Sequence, residues 1–100
     1  MINFGVMVHH LSDKPVHHPG TASRVFGDEA VIISPNENMV RMLNPSASRI
    51  WELADGSRTL EQIAQELVVE FDIDPAQARQ SVDQFVDELM SKGLLVWSTE

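Results

Sequence analysis

The chain has 100 residues, 43% hydrophobic and 22% charged, with no cysteine and a net charge of −8. That composition suits one small folded domain and lies outside the range of disordered chains. The missing cysteines exclude disulfides, thiolate metal sites and cysteine nucleophiles together. No run reaches the roughly 18 apolar residues that a membrane helix needs. The apolar opening, residues 1–8, lacks the basic leader of a secretory signal, so a cytoplasmic location away from membranes is expected.

The acidity is concentrated in the second half. Up to Asn44 there are four acids and three bases, and from Pro45 onward eleven acids and four bases. A nucleic-acid surface needs clustered Lys and Arg, because counterion release from phosphates supplies most of the non-specific affinity. This chain carries the opposite field.

Residues 12–23 (SDKPVHHPGTAS) combine two prolines and a glycine with few large apolar groups, and read as a loop or linker. Residues 1–23 are therefore assigned to a flexible or accessory segment and 24–98 to the packed domain. Three short apolar runs at 24–26, 30–34 and 39–43, separated by Gly27-Asp28 and by 35–38, predict a three-stranded antiparallel meander. In the third strand, alternation puts Met39, Arg41 and Leu43 on one face and Val40 and Met42 on the other.

Asn44-Pro45 starts a helix, since Asn caps orphan N–H groups and proline at the first position has none to lose. It runs to about Ala54 with Ala47, Ile50, Trp51 and Ala54 as its apolar stripe, and Asp55-Gly56 stops it. Thr59 and Gln62 form a capping box for a second helix with stripe Leu60, Ile63, Ala64, Leu67, Val68 and Phe71. After the break Asp72-Ile73-Asp74, Asp74 and Pro75 start a third helix reaching about Lys92, with stripe Ala78, Val82, Phe85, Val86, Leu89 and Met90. Gly93 ends it, and 94–97 form an extended apolar tail. The fold class expected is α+β: a three-stranded antiparallel β-meander followed by three α-helices.

Little here suits catalysis. The pairs His9-His10 and His17-His18 fall in the segment read as a loop, without the ligand spacing of a zinc site, and are read as solvent-exposed, so no metal is expected. Asp83, Asp87 and Glu88 share the outward face of the third helix, where solvent screens them instead of separating their acidities. No serine lies in a nucleophile or phosphate-loop motif. No catalytic residue and no cofactor are expected.

The run 42–56, Met-Leu-Asn-Pro-Ser-Ala-Ser-Arg-Ile-Trp-Glu-Leu-Ala-Asp-Gly, resembles the central signature of the PqqD family. The likeness continues through Thr59-Leu60-Glu61-Gln62-Ile63-Ala64-Gln65-Glu66-Leu67, Phe71-Asp72-Ile73, Val82-Asp83, Phe85 and Lys92-Gly93-Leu94-Leu95. It covers the chain from Arg24 onward and leaves 1–23 outside.

The resemblance implies a winged-helix-like fold that serves as the recognition element for ribosomally made, modified peptides. Members of the family bind the leader of a precursor peptide and present it to a modifying enzyme, often a radical SAM protein, without performing a reaction themselves. The leader adds as a strand to the edge of the sheet, in the groove between the third strand and the third helix. Carried onto this chain, the peptide-binding residues are Asn38, Met39, Val40, Arg41, Met42 and Leu43 on the edge, with Ala78, Arg79, Val82 and Val86 facing it. Arg41, and likewise Arg79, would meet a leader carboxylate, and Ala78, Val82 and Val86 would form an apolar floor or else ordinary core. The apolar 1–8 segment is a candidate extra strand, in this chain or in a neighbouring copy, which would link a homodimer. The competing reading is a winged-helix nucleic-acid-binding protein, for which the second and third helices would form the helix-turn-helix. The acids of the third helix oppose it.

Overall fold

The computed structural model describes residues 13–34 and 39–98. In chain order these form β1 (Lys14–His17), β2 (Ala22–Phe26), β3 (Glu29–Ser34), β4 (Met39–Met42), α1 (Pro45–Leu53), α2 (Leu60–Phe71), α3 (Pro75–Ser91) and β5 (Leu95–Ser98). The architecture is α+β, with two antiparallel sheets: the meander β2-β3-β4 and a two-stranded ribbon of β1 with β5.

The β2–β3 turn pairs Phe26 with Glu29, and Gly27 adopts φ +64°, a conformation that a Cβ would strain. On β3, Ala30, Ile32 and Ser34 point inward and are buried, while Ile33 points outward and is exposed. One sheet face thus packs on the helices and the other meets water.

The three helices begin at the predicted caps. The Asn44 side chain accepts from the Ala47 N–H with Pro45 behind it, Thr59 and Gln62 cap each other's backbones, and Asp74 accepts from the Ala76 and Gln77 N–H groups. Asp72 closes α2 in the left-handed region at φ 55°, and Gly93 follows α3 at φ +75°. Trp51, Ile32, Ile50, Ile63, Leu67 and Leu89 lead the core, with Leu94 and Leu95 sealing it from the C-terminal side. Phe71, expected in that core, is 37% exposed because the last turn of α2 runs past its edge.

Where a linker is expected over 12–23, the structure places β1 and the start of β2, so strand structure is already present at Lys14, ahead of Arg24. Lys14 pairs with Ser98, Pro15 with Trp97 and His17 with Leu95, while Pro15 is buried. The apolar tail is the partner strand of this ribbon. His17, expected to be exposed, stacks on Trp51 at 3.7 Å and 9°, and its Nε2 lies 2.7 Å from the Trp51 carbonyl, to which it donates. His18 is exposed, its Nδ1 accepting from the Gly20 N–H. The expectations for 1–8, His9, His10 and the 35–38 turn lie outside the described residues.

One buried hydroxyl fixes the meander to α1. Ser48 Oγ accepts from the Ala30 N–H at 2.7 Å and donates to the Leu43 carbonyl at 3.1 Å, joining the start of β3 to the end of β4. Ser48→Ala leaves a buried N–H without its acceptor, which costs about 1–3 kcal/mol. A urea midpoint equal to the parent's would show that water replaces the hydroxyl.

Candidate functional site

β4 lies at one edge of the meander. Its Leu43 N–H donates to the Ala30 carbonyl at 2.9 Å. Because antiparallel partners alternate between bonded and non-bonded pairs, Arg41 also bonds toward β3, whereas the N–H and C=O of Val40 and Met42 point to the side of β4 that no strand of the described residues occupies. Two residues therefore offer a ready ladder for another strand.

The side chains divide as the alternation predicts. Val40 and Met42 stand on the outer face, 64% and 73% exposed, Val40 opposite the exposed Ile33. Arg41 lies opposite the buried Ile32 and points inward, and Leu43 packs partly buried against the core. Arg41 Nη1 reaches Glu88 Oε2 of α3 at 3.5 Å. The Arg41 side chain is only 20% exposed against 55% for Glu88, and Arg41 Nε is buried without a hydrogen-bond partner.

Beside this pair, an open cleft of about 240 Å³ lies between α1 and α3, lined by Ala47 and Ile50 from α1 and by Ser81, Gln84, Phe85 and Glu88 from α3. Glu88 belongs to both features and so links the Arg41 pair to the cleft.

The expected residues sort unevenly. Met39, Val40, Arg41 and Met42 form the edge strand, with Leu43 at its end, and Asn38 lies outside the described residues. Ala78, Val82 and Val86 are completely buried and belong to the core, the second of the two places expected for them. Helical periodicity identifies the apolar stripe without telling its sealed centre from its open flank, which is Ser81, Gln84, Phe85 and Glu88. Arg79 stands apart from the Arg41–Glu88 pair: it pairs with Glu61 of α2, about two and a half turns from Glu88, on the opposite side of α3. Glu88, read from sequence as part of a solvated acidic face, meets Arg41 of β4, a partner that only the tertiary fold reveals.

Among the described residues, much of the basic charge is already matched by acids. Arg41, Arg49, Arg58 and Arg79 each pair with a carboxylate. Arg49 takes both oxygens of Glu70 at 2.7 and 2.9 Å, and this hydrogen bonding holds the Glu70 carboxyl below its ordinary range. Among the described residues, no cluster of three His, Asp or Glu is placed to hold a metal ion, and no helix is long and apolar enough to cross a membrane.

The architecture is that of a peptide-recognition element. It superposes with a TM-score of 0.70 and 28% identity on the solution structure of the PqqD truncation of Methylobacterium extorquens PqqCD, described as a functional and stand-alone RiPP recognition element; 87% of this chain and 93% of that one are covered. TbiB1 in complex with the TbiA(beta) leader peptide has the same fold, with a TM-score of 0.73 at 24% identity over 80% of this chain and 93% of that one.

Residues 29–95 match the family model of Coenzyme PQQ synthesis protein D (PqqD), and the chain belongs to that family. It is 43% identical over 68 residues to the PqqA binding protein of Xanthomonas euvesicatoria pv. vesicatoria (strain 85-10), covering 68% of this chain and 72% of the relative.

Proposed function

We propose that this protein is a non-catalytic adaptor that captures the leader of a ribosomally made precursor peptide by strand addition to β4. It presents that leader, in the cytoplasm, to a peptide-modifying enzyme of the radical SAM or another class. The observation that carries this reading is the edge of β4, unpaired among the described residues, near the α1–α3 cleft, where backbone groups of Val40 and Met42 supply affinity and the inward Arg41 and the cleft supply specificity. β2, the other edge of the meander, is exposed along its whole length, so a strand added there buries little.

The relatives named for PqqA supply the probe. Titrating PqqA into the isotopically labelled chain is expected to shift the amides of Val40, Met42 and Leu43 and of the α3 flank from Ser81 to Glu88. Saturable shifts confined to α2 or to the β1–β5 ribbon would reject the β4 edge as the binding site.

A further inference from the structure

Resting on that reading, we infer that Glu88 occupies Arg41 in place of an acidic side chain of the bound peptide, so that Arg41 selects an Asp or Glu at one position of the leader.

The two arginine–glutamate pairs of this fold differ in a telling way. Arg49 meets Glu70 with two short hydrogen bonds in the fork geometry that guanidinium and carboxylate favour. Arg41 meets Glu88 through one contact of 3.5 Å, beyond hydrogen-bonding range for charged groups, and its Nε is buried with no partner. A buried donor left unsatisfied is costly, so the guanidinium retains unspent capacity for a carboxylate. Glu88, more than half exposed, leaves at little cost, since a solvated ion pair contributes little.

The strand geometry places the incoming acid. Arg41 bonds toward β3, so it occupies a non-hydrogen-bonded position with respect to a strand added antiparallel at the open edge. Facing residues there have Cα atoms about 4.5 Å apart, with side chains on the same face. The peptide residue opposite Arg41 therefore points toward α3 beside the guanidinium. Elsewhere the chain's charge of −8, with exposed Asp83 and Asp87 on α3, disfavours acids. Discrimination thus concentrates at one position of the peptide.

The test is a double-mutant cycle on the full chain with fluorescein-labelled PqqA, in which each Asp or Glu is changed singly to its amide. Against the parent chain, one amide substitution is expected to weaken binding about tenfold or more, the value of one charge-assisted contact. Against Arg41→Gln the same substitution has no further effect, and Glu88→Gln tightens the unaltered peptide severalfold. Arg41→Glu is rescued by Lys at that single peptide position. Equal weakening of every peptide by Arg41→Gln would overturn the inference and leave the adaptor reading standing. Should PqqA not bind, a displayed library of random extended peptides is selected on the same chain. Enrichment for an acid at one position, lost in Arg41→Gln, supports the inference; enrichment without acid preference overturns it alone, and no enrichment overturns both readings.

Discussion

A Val40→Pro chain is expected to fold like its parent and to bind its peptide roughly tenfold to a hundredfold more weakly. The ladder between β3 and β4 runs through Arg41 and Leu43, as the Leu43 N–H to Ala30 carbonyl bond fixes, so the N–H of Val40 contributes nothing to the sheet. Proline is tolerated on an edge strand where its missing N–H would have faced solvent. The same change deletes a donor from the docking ladder and sets a ring in the path of an incoming strand. A peptide carbonyl buried without its donor costs about 1–3 kcal/mol, and every 1.4 kcal/mol is tenfold in affinity. Val40→Ala, which keeps the N–H, should bind nearly as the parent does. Fluorescence anisotropy compares the three chains, and thermal melts verify their folds; parental affinity in the proline variant would exclude strand addition at β4.

Trp51→Ala is expected to have the largest effect on stability, a loss of about 3–5 kcal/mol. Such a loss is a large share of the roughly 5–15 kcal/mol that holds a domain folded. Trp51 is 1% exposed and is the largest of the fully buried side chains. It also carries the ring on which His17 stacks, so its removal takes away one of the contacts that seat β1. The indole Nε1 is buried without a hydrogen-bond partner, so Trp51→Phe, which deletes that donor and keeps an aromatic surface, should cost far less than alanine. Urea denaturation distinguishes the two. Hydrogen exchange should find the β1–β5 ribbon opened first in the alanine variant, and a midpoint near the parent's would contradict this account of the core.

Much of the fold was legible because its signals are local. Asn44-Pro45, Thr59 with Gln62 and Asp74-Pro75 each cap their own first turn, and Gly27 supplies its own positive φ; none depends on distant residues. The ribbon was not legible for the converse reason. Lys14 pairs with Ser98 from the far end of the fold, and a four-residue strand containing proline gives no periodicity to recognise. The site divides along the same line. The edge strand follows from its order in the meander, and the inward turn of Arg41 from alternation. The open flank of α3 and the pairing of Arg41 with Glu88 depend on how distant elements come together, which a helical stripe does not record.

The pairing of Lys14 with Ser98 makes the described fold nearly circular. A short linker from 98 back to 14 would close it into a ring, and a chain reopened at the Gly27-Asp28 turn should rebuild the same core in a new order. By the same geometry, an enzyme grafted immediately before β1 or after β5 would join the fold at a sheet that does not contain β4.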